Sequence, residues 1–118
     1  MSALPVNFSG RFQVWSYSVS HGQLLLRSTK SAERPTQIDV LFSNVAAMCL
    51  AAAFDGMEIR RAAASDFTPP LQLGALSSSG RETYRILGRE VDGYVVAGSV
   101  VWDEAAREYD AVSQLLGT

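Results

Sequence analysis

From Phe12 to Thr29, FQVWSYSVSHGQLLLRST, apolar and aromatic β-formers dominate, and the run is broken once, at His21-Gly22. A two-residue turn at that break predicts a hairpin, because Gly takes positive φ freely and His tolerates it better than most side chains. Opposed residues of an antiparallel pair share a face. The register therefore puts Trp15, Tyr17, Val19, Leu24 and Leu26 on one face, and Ser16, Ser18, Leu25 and Arg27 on the other. That division predicts a half-buried pair with the first set in the core. A lone hairpin is marginal in water, so further strands must cover it.

The alternation continues downstream. Ile38, Val40 and Phe42 fall on one side of a predicted strand, with Asp39 and Leu41 on the other. Met57 and Ile59 alternate with Glu58 and Arg60, a strand following an Asp55-Gly56 turn. Thr83 to Val101 predicts a second hairpin about Asp92-Gly93, a type I′ signal that sets Val91 opposite Tyr94 and Arg89 opposite Val96. Apolar residues fall on both of its faces, so it lies inside the fold or meets a partner chain. The stretch SNVAAMCLAAAFDG after Phe42 supports two readings. One is an alanine-rich helix capped by Ser43 or Asn44 and stopped by Gly56. The other continues the strand past a bulge at Ser43-Asn44 to Leu50, followed by a turn over Ala51 to Gly56. The helix would be apolar on every side, so the strand is preferred.

From Asp103 the period changes. Ala105, Tyr109, Val112 and Leu116 sit at helical spacing, with Asp103 as cap and Gly117 as stop, which predicts a C-terminal amphipathic helix. Residues 1–10 form a lead-in, with Pro5 and Gly10 limiting regular structure, and Lys30 to Pro35 is a polar connection. Ala62 to Gly80 is irregular, with Pro69-Pro70 and serines at 77–79, and a loop of this length inside a small domain is often functional. Leu71, Leu73 and Leu76 are positioned to pin it.

A chain of 118 residues is predicted to be a single domain, 1–118, and its apolar fraction of 47% is that of a globular protein. The elements together predict a mainly β or α+β fold. It is a strongly bent antiparallel sheet or partly open barrel of about six strands closed by a C-terminal helix. That roll is similar in outline to pleckstrin-homology-like architectures, and such an outline carries no function by itself. A net charge of −2 gives no overall basic surface, so nucleic acid is not an expected partner. The apolar run from Val45 to Phe54 is about half a membrane span. No basic, apolar leader precedes it, so the expected setting is a cytoplasmic protein without membrane attachment. The single Cys49 can form no internal disulfide.

Candidate chemistry is sparse. His21 is the only histidine and Ser20 precedes it, but adjacent turn residues are expected to point apart, and no third orienting group is identifiable. No catalytic residue is assigned. One His and one Cys lie far apart, and the spacing of Asp103, Glu104, Glu108 and Asp110 matches no calcium loop, so no metal or cofactor is expected. The glycines of Gly88 to Gly93 have phosphate-loop spacing but lack the following Lys-Ser/Thr. Trp15, Tyr17 and His21 are the candidates for a small-ligand or enzyme pocket. Arg85 and Arg89 share a face in the predicted register and are the candidates for an anion-binding strip. Paired surface charge with Glu58, Glu82 and Glu90 is the plainer use of the arginines. The expected function is a small non-catalytic binding or protein-interaction module, with a homodimer or another protein as partner.

The run W-S-Y-S-V-S-H-G-Q-L-L-L-R-S, followed by I-D-V-L-F-S-N-V, resembles a group of small bacterial β-rich proteins with no assigned function. The resemblance covers roughly the first half of the chain. It implies common descent and a strand beyond Phe42, and it implies no activity.

Overall fold

The computed structural model describes residues 4–77, 80–108 and 110–117. Eight strands form, β1 (Val6–Ser18), β2 (Gln23–Ser28), β3 (Gln37–Ser43), β4 (Ala47–Cys49), β5 (Ala53–Ala62), β6 (Glu82–Gly88), β7 (Val91–Ala97) and β8 (Ser99–Ala105). They make one sheet ordered β4-β7-β6-β5-β1-β2-β3-β8, and all its pairings are antiparallel. The mainly β, antiparallel expectation agrees with this. The count is eight strands instead of about six, because two long runs are bent. β3 and β4 are one run broken at Asn44, whose φ is +55°, and β7 and β8 are one run broken at Gly98. β3 pairs with β8 and β4 with β7. Gly98 N–H donates to the Ser43 carbonyl at 2.9 Å and Ala46 N–H to the Val96 carbonyl at 2.8 Å, so both runs bend at the same level.

The inward face of the bent sheet is the core. Phe12, Leu24, Leu26, Val40, Phe42, Ile59, Ile86 and Val95 are fully buried there. Phe12 is its aromatic hub, with ring centroids 5.8 Å from Phe8 and 6.5 Å from Phe54. Phe8 packs edge-on against Trp102 at 5.7 Å, which ties β1 to β8. Offset and edge-on aromatic contacts of this kind add to simple burial.

The outward face of β2 and β3 is buried too, which the periodicity did not predict. Arg27 is 1% exposed and Asp39 is 0% exposed. Arg27 Nε donates to Asp39 Oδ1 at 2.8 Å and Nη2 to Oδ2 at 3.2 Å, a two-pronged pair. The Trp15 ring lies under the guanidinium at 4.7 Å. Across the β3–β8 ladder Asp39 stands opposite Asp103, and Asp103 is paired with Arg107. Like charges directly opposed destabilise a sheet, and here each carboxylate has its own arginine. Described residues of the segment after β8 lie over this face. Ser113 is buried, the short 3-10 turn Gln114–Gly117 contacts β3 and β8, and Lys30 pairs with Glu108 at 3.3 Å.

Several expectations are corrected. The first hairpin has a four-residue connection, 19–22, and pairs Tyr17 with Leu24, Ser16 with Leu25 and Val14 with Leu26. The register shifts at Trp15, a bulge that turns the indole to the outer side, over Arg27. Tyr17 is 39% exposed and Val19 83%, so only Leu24 and Leu26 of the predicted face reach the core. Arg27, expected outside, is inside. The second hairpin turns at Arg89-Glu90, with φ +59° at Glu90, and pairs Gly88 with Val91 and Arg85 with Tyr94. Gly93 is needed within β7, where a Cβ would run into the Cys49 carbonyl of β4. The stretch after Phe42 resumes as strand β4, as preferred, and no helix forms there. Asp55-Gly56 lies inside β5, opposite the irregularity in β1 between Phe8 and Arg11. The lead-in already belongs to β1 from Val6. No C-terminal helix forms over the described residues. The edge of β3 takes up Asp103 to Ala105 as strand, and of the predicted helix only the 3-10 turn remains. Tyr109, one of the predicted helix positions, lies outside the described residues.

Tyr84 is buried in the core and its hydroxyl donates to Glu82 Oε2 at 3.2 Å. Burial, then the neighbouring Glu82 charge, raises its pKa above the ordinary tyrosine value. The folded state therefore favours the protonated phenol. This contribution to stability is complete below the ordinary tyrosine range and is lost as pH rises through the folded value. An ultraviolet difference titration is expected to show a tyrosine signal above the ordinary range that disappears in Tyr84→Phe. Survival of that signal in the variant would refute the assignment.

Candidate functional site

The irregular loop and the second hairpin, separate features in sequence, meet in the fold. After β5 the chain makes a 3-10 turn at Ala64–Asp66, braced by Asp66 Oδ2, which accepts from Ala63 N–H at 2.8 Å. It then crosses the outer face of β6 and β7. Phe67 is buried there, edge-on to Tyr94 with centroids 5.8 Å apart. Leu71 N–H donates back to the Ala64 carbonyl at 3.1 Å, which closes the loop on itself.

Arg85 of β6 organises the result. Its Nε donates to Asp92 Oδ1 at 2.9 Å, its Nη2 to Asp92 Oδ2 at 2.5 Å, and its Nη1 to the Asp66 carbonyl at 3.2 Å. Its guanidinium lies 4.6 Å over the Phe67 ring. Asp92 is a diagonal neighbour of Arg85 across the β6–β7 ladder, within reach of a long side chain. The hydrogen bond from Arg85 holds the Asp92 carboxyl below its ordinary pKa, and the same bond raises that of Arg85. The pair stays ionised at neutral pH and is neutral as a unit.

Between loop and strands lies an open cleft of about 440 Å³, walled by Phe67, Pro69, Pro70, Gln72, Tyr94 and the Arg85–Asp92 pair. Cys49 sits on its rim, and its thiol is free. A second, apolar cleft of about 250 Å³ adjoins it past Cys49 and Asp92, and reaches Leu50, Phe54, Ile86 and Val91. Its floor is the end of the core, since Leu50 and Val91 pack against the core cluster.

The candidate residues from the sequence are placed elsewhere or used differently. His21 is exposed in the hairpin connection, with Nδ1 3.0 Å from Ser18 Oγ and 3.2 Å from Ser20 Oγ. The expectation that Ser20 and His21 point apart is therefore corrected, because the longer turn brings both hydroxyls to the ring. His21 lines none of the clefts described here. Trp15 lies on the outer side over Arg27, while Tyr17 opposes the core residue Leu24, so the three do not share one pocket. Arg85 is engaged with Asp92, and Arg89 lies in the following turn, where its backbone N–H donates to the Asp55 carbonyl at 2.9 Å. The two do not form an unpaired strip. Arg60 and Arg61 are paired with Glu58 and Glu82.

The spacing marks none of Phe67, Gln72, Asp92 and Tyr94 as a site residue, since Asp92 reads as part of a turn and Tyr94 as a hairpin position opposite Val91. The signals present were the Pro69-Pro70 loop and the apolar residues on both faces of the second hairpin. Among the described residues no three His, Cys, Asp or Glu side chains come together as a metal site, and no helix is long and apolar enough to cross a membrane. No family model matches the chain, and neither the curated proteins nor the solved structures hold a match to it.

Proposed function

We propose that the protein is a small non-catalytic binding module, with the cleft between residues 67–72 and strands β6–β7 as its recognition surface. Its ligand is an extended segment of another protein carrying an aromatic or proline side chain. The use of Arg85 carries the reading. One edge of its guanidinium is taken by Asp92, another nitrogen by the loop backbone, and its face by Phe67. The arginine thus serves to hold a preformed wall and offers no open fork to an anion. The exposed wall consists of Tyr94, Pro69 and Pro70, backed by the buried Phe67 ring, with the Gln72 amide as a polar contact. Rigid, ring-lined grooves of this kind receive apolar anchors of extended peptides at low entropic cost.

The test is an amide-shift titration with a pool of extended peptides bearing tryptophan or proline anchors. Saturable shifts are expected at residues 67–72 and 92–94. Tyr94→Ala is expected to weaken binding by roughly tenfold or more, the scale of a buried aromatic anchor. Cys49→Trp, which fills the rim without removing a support, is expected to block it. Peptide binding that Tyr94→Ala and Cys49→Trp leave unchanged, or no saturable shift from any peptide, would overturn the cleft as the recognition surface.

A further inference from the structure

The two ends of the sheet are unequal. β4 is three residues long, whereas β8 is a seven-residue strand, SVVWDEA, whose one strand partner among the described residues is β3. Among the described residues the other edge of β8 has no ladder. Beside its first half the fold leaves a cleft of about 340 Å³ lined by Ser99, Val100 and Val101 together with Leu4, Arg61, Glu82 and Tyr84. A strand edge with unpaired backbone is a template for another strand, and proteins normally blunt such edges with proline, lysine or a bulge. Ser99 to Ala105 holds no proline, lysine or glycine. Val101 lies on the outer side of the strand, opposite Leu41, and is 37% exposed.

The distribution of charge along β8 says which strand fits. Both acidic residues, Asp103 and Glu104, are in its second half. A parallel copy would set carboxylate beside carboxylate. An antiparallel copy centred on Val101 sets Val101 against its equivalent, Val100 against Trp102 and Ser99 against Asp103, so no like charges oppose each other. The carboxylates are also already engaged within the chain, Asp103 with Arg107 and Glu104 with the Thr36 hydroxyl at 2.5 Å. An antiparallel pair of identical strands has a twofold axis and closes on itself.

We propose that a second copy of this chain docks on the free edge of β8, with the two β8 strands pairing antiparallel about Val101 and one sheet running through both molecules. This interface is separate from the cleft of residues 67–72, and either reading can fail without the other.

Light scattering on the full chain over a dilution series is expected to show a monomer–dimer equilibrium. Val101→Lys places two positive charges on the twofold axis and is expected to weaken the dimer by roughly tenfold or more. Its circular dichroism and thermal midpoint should stay close to those of the parent, since Val101 is already partly exposed. In a Cys49→Ser background, Val101→Cys is expected to form a disulfide-linked dimer under mild oxidation, because opposed strand residues lie within disulfide reach. The same change at Val112, which is 83% exposed on the C-terminal segment, should not. A strict monomer at the highest soluble concentration would overturn the proposal. So would a dimer that Val101→Lys leaves intact, or equal cross-linking at positions 101 and 112.

Discussion

Replacing Arg27 alone by methionine is expected to destabilise the fold by about 3–5 kcal/mol, the usual cost of stranding one member of a buried ion pair. Asp39 is 0% exposed, so its carboxylate would have no route to water. It also faces Asp103 across the ladder. The loss should shrink on acidification. A stranded buried carboxyl has its pKa raised, so the folded variant favours the protonated form and recovers stability as pH falls. The double variant Arg27→Met with Asp39→Leu is expected to lie within about 2 kcal/mol of the parent, or above it, since apolar replacement of a whole buried pair is often neutral or stabilising. Urea midpoints at constant slope measure the parent, the single variants Arg27→Met and Asp39→Leu, and the double variant. If the double variant loses as much as the two single variants summed, the pair is not a coupled unit and this account of the outer face is wrong.

Phe12→Ala is expected to cost about 3–5 kcal/mol, the range for removing a fully buried ring. Phe12 touches Phe8 and Phe54, and Phe8 in turn supports Trp102, so the cavity should open between β1, β5 and β8. Tryptophan emission is expected to shift to the red even where the variant remains folded. Val112→Ala, at a position 83% exposed, is the control and should stay within about 0.5 kcal/mol. A Phe12→Ala midpoint close to that control would show that the core has no single hub.

Period-two alternation made most strands legible. Ile38, Val40 and Phe42, and Met57 and Ile59, are in the core as their spacing implies. The second hairpin shows how a misplaced turn can leave the faces intact. Moving the turn from Asp92-Gly93 to Arg89-Glu90 displaces the pairing by an even number of residues, so Tyr84, Ile86, Val95 and Ala97 still share the core face. The first hairpin shows the opposite case. A single bulge at Trp15 moved the indole across the sheet, and bulges leave no clear mark in a hydrophobic pattern. Arg27 was unreadable for another reason. A charged residue in a strand implies solvent unless something covers it, and its cover comes from a segment more than seventy residues later that the spacing predicts as a helix. The cleft was half legible. Its loop stood out through Pro69-Pro70, but Phe67 and Tyr94 meet only because the loop folds back over the hairpin.

The bend shared by Asn44 and Gly98 also has a meaning in time. A chain made from its N-terminus has β1, β2 and β3 early, and their ladders are local. β1 must then wait for β5, and β3 must wait for β8, some sixty residues further along the chain. Until residues 99–105 emerge, the far side of β3 is bare and the interior faces the solvent or whatever shields it. Closure is thus a late and non-local event, of the kind that slows folding. The nascent chain passes through a stage in which an open, apolar meander is its most exposed form.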